Sequence, residues 1–309
     1  MGFYLNITNS VGSLASGLYG RLMLVLRILE NEFIFGGYLT SLGLPAFVLS
    51  VSILLNSSID WPVLAIAYLT PLIVYSYNYY GELERDLATN PERAMYLRKK
   101  VSLYPFILGA YFLLLGLLLV EFANPVMIIF VLILLFCGIF YTLLFKDMTK
   151  DIPGFKGVYI ASVWALAGAF IFNFHYQLSW GLFSVLIFLF IFLRGIINVT
   201  FFDIKDIASD AAHGLKTLPV LLGRERTLAF LHLLNVLAFI PLVVGVYLGI
   251  IPLYGLSLLV FYFYDLYYLK KAGTINKKDL RVLSYTLADA EFILWPLMLI
   301  IGRAIFFKL

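Results

Sequence analysis

Charged residues are scarce in this chain of 309 residues, and their scarcity excludes a water-soluble fold. They make up 13% of the sequence, whereas hydrophobic residues make up 62%. Soluble domains carry roughly 25% charged residues. Apolar runs of about 20 residues, long enough to cross a bilayer, recur from about residue 33 to the C-terminus. The sequence therefore predicts an integral membrane protein with a single membrane-embedded domain, residues 1–309.

Cysteine and histidine are also rare, which argues against disulfides and against metal sites built from thiolates or imidazoles. The only cysteine, Cys137, lies in an apolar run, so neither an intrachain disulfide nor a thiolate site can form. The three histidines, His175, His213 and His232, are not spaced as a metal-binding pair, and at most His213 is placed to contact a substrate. The loops are too short for a basic nucleic-acid-binding face. Nothing in the sequence indicates an obligate protein partner.

Nine apolar segments of membrane-spanning length predict an all-α, polytopic fold. They lie near residues 33–56, 61–80, 103–123, 125–145, 157–176, 180–202, 227–249, 251–269 and 285–307. The connections after the first, third, fifth and seventh segments contain no Lys or Arg, whereas the other connections do. The positive-inside rule thus places the N-terminus and the basic loops in the cytoplasm and the C-terminus outside.

Two acidic motifs end the second and sixth predicted spans. The first acidic motif is NYYGELERD, residues 78–86, and the second acidic motif is DIKDIASD, residues 203–210. In each motif the oxygen-bearing side chains share one helix face: Asn78, Glu82 and Asp86 in the first, and Asp203, Asp206 and Asp210 in the second. This weak repeat predicts two halves, about 33–145 and 157–270, plus a ninth helix. The helices would surround a central cavity that cytoplasmic loops cap, with the motifs facing each other.

The ligand atoms of these motifs indicate magnesium. Oxygen ligands without converging His or Cys suit Mg²⁺, which commonly bridges one or two carboxylates to substrate phosphates. Neighbouring carboxylates repel one another unless a cation neutralises them. With basic residues beside them, the two motifs predict a site for Mg²⁺ and a diphosphate. For either motif alone, the alternative is a solvated helix end whose acids pair with neighbouring Lys or Arg.

The paired motifs resemble those of the UbiA superfamily of intramembrane prenyltransferases, which have nine transmembrane helices. That family has N-D-x-x-D-x-x-x-D after the second helix and D-x-x-x-D after the sixth, and HGLKTLPVLLG after the second motif is similar to its G-x-K-T-x-P continuation. Here Tyr79 and Glu82 stand where the family usually has Asp. The resemblance implies Mg²⁺-dependent transfer of a prenyl group from a prenyl diphosphate to a lipid-soluble or amphipathic acceptor, with release of diphosphate. The acceptor would be an aromatic quinone-type precursor or an archaeal glycerol-phosphate lipid.

The resemblance also implies roles for individual residues. The six oxygen-bearing residues of the motifs would hold the metal, and Asn78, Asp86, Asp206 and Asp210 would act in catalysis. Tyr141 would line the reaction centre. Basic residues would bind the diphosphate: Arg27, Arg93, Lys146 and Lys216. The alternatives are loop charges that set topology, and an interfacial position for Tyr141.

Arg194 and Asn198 lie one turn apart inside the sixth predicted span, where a charge is costly. Asn198 is a candidate substrate-binding residue. Arg194 would bind the diphosphate or the acceptor, or would form an ion pair with Asp265 or Asp289. These two acids and Glu291, in the last two predicted spans, are interpreted as paired structural or cavity residues.

Two other functions stay open. Transfer of a phosphoribosyl group to a polyprenyl phosphate would use the same metal and diphosphate ligands. Transport of a divalent cation or a phosphorylated solute would need a polar path across the bilayer, and the first, third, fourth and seventh spans offer few polar residues for one.

Overall fold

The structure is a computed structural model that describes residues 31–276, 279–280 and 283–306. These ranges contain helices, turns and short connections, and they contain no strand. The prediction of an all-α fold is therefore confirmed for the described part of the chain.

The α-helices of the described ranges are labelled in chain order. They are α1 (Tyr38–Ser41), α2 (Gly43–Leu54), α3 (Trp61–Gly81), α4 (Leu83–Thr89), α5 (Pro91–Arg98), α6 (Tyr104–Phe122), α7 (Pro125–Phe140), α8 (Met148–Asp151), α9 (Phe155–His175), α10 (Leu182–Ile204), α11 (Ile207–Ala212), α12 (Leu218–Leu237), α13 (Ile240–Tyr247), α14 (Val260–Ala272) and α15 (Asp289–Phe306). Helical turns of other types complete them: π-helices at Tyr141–Phe145 and Ser284–Ala288, and a 3₁₀-helix at Leu253–Leu259.

Membrane-spanning character follows from length and composition. Among the described residues, five helical segments are long and apolar enough to cross a bilayer: Tyr104–Phe122, Pro125–Phe145, Phe155–His175, Leu182–Ile204 and Leu218–Tyr247. Helices also lie at the other predicted positions, including the shorter apolar stretch Tyr38–Leu54. The count of nine spans, the orientation of the termini, the capping loops and the division into two halves stay predictions.

The bundle is held together by close contacts at small residues. Helices α9 and α10 pack against each other most extensively. At their crossing, a Cβ added to Gly195 would lie 3.1 Å from the Ala161 Cβ, so a larger side chain there would push the helices apart. Small residues allow such close packing where the surrounding lipid provides no hydrophobic driving force. Trp295 of α15 fills the centre of the core, with its ring against Phe47 and Phe190.

The ends of α3 and α10 carry the two acidic motifs. Helix α3 ends at Gly81, and Glu82 breaks the helical path before α4 begins. Helix α10 ends at Ile204, and α11 follows after Lys205 and Asp206. Each motif is thus divided between a long helix and a short one. This places its acids on the wall of a cavity.

Candidate active site

A cavity of about 270 Å³, here called the polar chamber, lies where α3 and α10 end. Both acidic motifs line it, and the acids are Glu82, Asp86, Asp203, Asp206 and Asp210. The carboxylates of two motifs that are far apart in the sequence therefore face one space. This is the juxtaposition that a shared diphosphate site requires.

A second cavity of about 250 Å³, here called the apolar chamber, adjoins the polar one. Its walls come from α2, α3, α7 and α9 and include Leu134, Val163 and Trp164. The two chambers adjoin at the residues that line both, which are Tyr75, Tyr79, Glu82, Arg93, Lys146, Lys156 and Ile160. Asn78 lines the apolar chamber, where its Oδ1 accepts a hydrogen bond from Thr142 Oγ1 at 2.9 Å.

The first acidic motif is paired with basic residues. The Arg93 guanidinium donates to Asp86 Oδ2 from Nε at 3.2 Å and from Nη2 at 2.6 Å. The same guanidinium lies over the Tyr79 ring, 4.0 Å from its centroid. Lys146 forms a salt bridge with Glu82. The structure therefore brings Arg93 and Lys146 to the chamber, beside the acids of the motif.

The second acidic motif is paired in the same way. Lys156 Nζ lies 2.5 Å from Asp203 Oδ1, and Lys205 Nζ lies 2.5 Å from Asp206 Oδ2. The Asp210 carboxylate accepts a long hydrogen bond of 3.4 Å from Thr217 Oγ1. Burial raises the pKa of the Asp210 carboxyl, although Lys156 opposes this shift. Pairing with nearby basic residues, the alternative for a single motif, thus occurs in both motifs, but around one shared cavity.

The chamber fits a metal ion that is held jointly with a substrate. In the described part of the chain, no three His, Cys, Asp or Glu residues converge into a ready-made metal site. Mg²⁺ usually keeps several waters and takes one or two carboxylates together with substrate phosphates. All five acids of the two motifs line the chamber and offer oxygen ligands to such an ion, whereas Asn78, the sixth predicted ligand, lines the apolar chamber.

Some of the remaining predicted residues line one of the chambers, and others do not. Tyr141 lines the apolar chamber, with its ring centroid 5.3 Å from that of Tyr159. Asn198 and His213 line the polar chamber, and Asn198 Nδ2 donates to Ala288 O at 3.0 Å. Lys216 is exposed and lies outside both chambers, and Arg27 lies outside the described residues.

Arg194 also lies outside both chambers, and this corrects its expected role in binding substrate. It is buried in a group of polar side chains, here called the Arg194 cluster: Arg194, Asn235, Asp265 and Glu291. Arg194 Nε donates to Glu291 Oε1 at 3.0 Å, Nη1 donates to Asn235 Oδ1 at 2.7 Å, and Nη2 lies 2.8 Å from Asp265 Oδ2. The structural ion pair with Asp265 is thus the alternative that the structure shows. Asp289, the other expected partner, accepts a hydrogen bond from Thr40 instead.

Sequence reasoning missed several residues of the polar chamber. Lys156 and Lys205 were interpreted only as loop charges, and Thr40, Asn90 and Ser209 were not singled out. One signal was available for Lys205, because it lies between Asp203 and Asp206 in the sequence. Lys156 reaches Asp203 only through the packing of α9 on α10, which no local pattern reports.

Fold and cavity together define a helical membrane protein whose paired acidic motifs enclose a charged chamber. The UbiA prenyltransferase family model matches residues 36–287, and the chain belongs to this family. No curated protein sequence matches the chain.

Solved structures share the fold. A UbiA homologue from Aeropyrum pernix K1 is 17% identical, with a TM-score of 0.63 over 86% of this chain and 97% of that one. A UbiA homologue from Archaeoglobus fulgidus bound to GPP and Mg²⁺ is 16% identical, with a TM-score of 0.62 over 87% and 99%. A digeranylgeranylglyceryl phosphate synthase is 20% identical, with a TM-score of 0.56 over 89% and 98%.

Proposed function

We propose that this protein transfers a prenyl group from a prenyl diphosphate to a membrane-associated acceptor in a Mg²⁺-dependent reaction. One observation carries the proposal: both acidic motifs and the lysines and arginine paired with them line a chamber that adjoins an apolar one. The molecule thus offers a charged space for a diphosphate directly beside a lipophilic space for an isoprenoid chain.

The diphosphate binds in the polar chamber. Arg93, Lys146, Lys156 and Lys205 line it, and each now pairs with a carboxylate. A diphosphate replaces those carboxylates as the partner of the cations, since phosphate oxygens accept the same charge-assisted hydrogen bonds. The carboxylates of Asp86 and Asp206, released from their cations, and that of Asp210 would then hold Mg²⁺ together with the diphosphate.

The prenyl chain extends into the apolar chamber. Tyr75, Tyr141, Tyr159 and Trp164 line this space. Their ring faces carry negative electrostatic potential and stabilise a nearby cation. An apolar wall also excludes water, which would otherwise capture the reactive carbon. The chamber therefore suits the allylic end of the donor.

The reaction separates charge, and the chamber residues stabilise the separated charges. The bond between the allylic carbon and the diphosphate oxygen breaks, and its electron pair leaves with the diphosphate. The basic side chains of the polar chamber lower the energy of that developing anion. Mg²⁺, when bound, supplies Lewis-acid stabilisation of the same leaving group.

The solved homologues support this assignment. The Archaeoglobus fulgidus protein was obtained with GPP and Mg²⁺ and with DMAPP and Mg²⁺. We propose that this chain binds the same class of donor and the same metal, and that its chamber faces the cytoplasm, as the positive-inside pattern indicates.

The test is a binding and turnover assay on the purified full-length protein. Asp206→Asn and Asp210→Asn remove a metal-binding charge without changing side-chain size. Both variants are expected to lower Mg²⁺-dependent diphosphate release from geranylgeranyl diphosphate by about 100-fold, with little change in Tm. Asp147→Asn is the matched control, because Asp147 is an exposed acid outside the chamber. Turnover at the wild-type rate in Asp206→Asn would overturn the proposal.

A further inference from the structure

Asp289, the first residue of α15, is a buried carboxylate to which the proposed function gives no role. It is only 7% exposed, and its Oδ2 accepts a hydrogen bond of 2.9 Å from Thr40 Oγ1. Asp289 lines the polar chamber and also a smaller third pocket. Its carboxylate therefore lies where these two spaces meet.

Asp289 differs in its partner from four of the five motif acids of the chamber, and it resembles Asp210, which accepts a hydrogen bond from Thr217. Glu82, Asp86, Asp203 and Asp206 each form a salt bridge with a lysine or arginine. No lysine or arginine of the described ranges forms a salt bridge with Asp289. Asn198 also donates toward the Asp289 carboxylate, and Lys205 acts on it through its charge alone. A buried carboxylate without a directly paired cation is costly. Its position beside a cavity indicates that it meets a ligand that donates a hydrogen bond.

The third pocket, here called the aromatic pocket, has a volume of about 50 Å³. This is larger than the ~10–15 Å³ that one water molecule needs. Phe47, Trp164 and Phe292 line it, and Asn198 lines both this pocket and the polar chamber. The pocket therefore has room for a small group beside Asp289 and gives that group apolar contact.

We propose that Asp289 binds the nucleophilic hydroxyl of the acceptor and takes its proton. This rests on the proposed function, which supplies the electrophilic prenyl carbon. The acceptor oxygen forms a bond to that carbon while the bond from carbon to diphosphate breaks, with the electron pair leaving on the diphosphate. The hydroxyl proton passes to the Asp289 carboxylate. Thr40 is a positioning residue, because its hydroxyl holds the carboxylate from the side of α1.

Both acceptor classes that the family resemblance implies can present such a hydroxyl, one on a glycerol and one on an aromatic ring, so one probe of each class is used. A glycerol-phosphate monoether serves as the alcohol probe, and 4-hydroxybenzoate serves as the phenol probe. NMR of the isolated product distinguishes a new ether from a carbon-linked product, which has the same mass.

The experiment separates donor binding from transfer. Asp289→Asn keeps the size of the side chain but cannot take a proton. We expect kcat/KM for the accepted probe to fall about 100-fold, while Kd for radiolabelled geranylgeranyl diphosphate with Mg²⁺ stays within about twofold of wild type. Asp289→Glu, which keeps the carboxylate, is expected to recover part of the transfer rate.

Glu291→Gln is the matched control, since Glu291 is a buried acid of the same helix that belongs to the Arg194 cluster and lines neither chamber. The Glu291→Gln protein that folds is expected to have the same KM for the acceptor as wild type. Wild-type transfer by Asp289→Asn would overturn the role of Asp289. The same conclusion follows if the wild-type protein binds the donor but forms no ether with either probe. Failure of the wild-type protein to bind the donor at all would overturn the proposed function itself.

Discussion

Two groups of charged side chains lie inside this protein, and they differ in access to a cavity. In the Arg194 cluster, the side chains of Arg194 and Asp265 are 0% exposed and that of Glu291 is 1% exposed. Around the polar chamber, the Lys146 and Glu82 side chains keep 18% and 22% exposure. The same residue types form ion pairs in both places. Only the chamber pairs can exchange a partner for a ligand.

This difference in access explains why one group has a structural role and the other can bind a ligand. A buried ion pair is only a weak net contributor to stability, but removal of one partner leaves an uncompensated charge. A pair that faces a cavity can be opened by a charged ligand, which then replaces the missing partner. Ion pairs of the same residue types thus serve either structure or binding, and access to the cavity decides which.

The largest expected effect comes from breaking the Arg194 cluster. Arg194→Met leaves Asp265 and Glu291 buried without their cation, and it is expected to lower the free energy of unfolding by about 3–5 kcal/mol. Denaturant unfolding in detergent micelles measures this change. The variant that still folds should bind geranylgeranyl diphosphate like wild type. If Arg194→Met is as stable as wild type but no longer binds the donor, then Arg194 belongs to the binding site and not to a structural cluster.

A smaller effect is expected from Arg93→Lys in the chamber. Lysine keeps the positive charge but loses both the two-nitrogen contact with Asp86 and the stacking on Tyr79. We expect Kd for the prenyl diphosphate to rise about tenfold, or about 1.4 kcal/mol, with little change in Tm. Arg98→Lys, at an exposed position of the same helix α5, is the control. Equal affinities for Arg93→Lys and wild type would mean that only charge matters at this position.

The smallest effect is expected from Glu82→Gln. Glu82 lines both chambers and pairs with Lys146, so its substitution removes one of the five carboxylate charges around the proposed metal site and leaves the other four. The Mg²⁺ concentration for half-maximal turnover should rise about threefold, since ligand charge tunes cation affinity. Glu84→Gln, an exposed acid of α4, serves as control. An unchanged Mg²⁺ titration would show that this position contributes nothing to metal binding.

The sequence predicted most of the fold because its signals are local. Apolar runs of bilayer length lie at the helices that the structure contains, and the acids of both motifs were found from their spacing. Which neighbouring helix a buried side chain contacts depends on tertiary packing, so nearby residues in the sequence do not reveal it. Arg194 and Asn198 lie one turn apart, yet Asn198 lines the polar chamber and Arg194 turns to α14 and α15. Asp289 reaches the chamber only because α15 packs beside α1 and α2.

The π-helix at Tyr141–Phe145 determines the angle around the helix axis between Tyr141 and Lys146, which both line the apolar chamber. Its last bond runs from the Lys146 N–H to the Tyr141 carbonyl at 2.8 Å, five residues back rather than four. In an uninterrupted α-helix, residues five apart would point about 140° away from each other. The wider turn reduces this divergence, so that both residues line the apolar chamber. The π-turn thus acts as a one-residue insertion in an α-helix: the wider turn absorbs the extra residue between Tyr141 and Lys146, so the Lys146 cation keeps its salt bridge with Glu82.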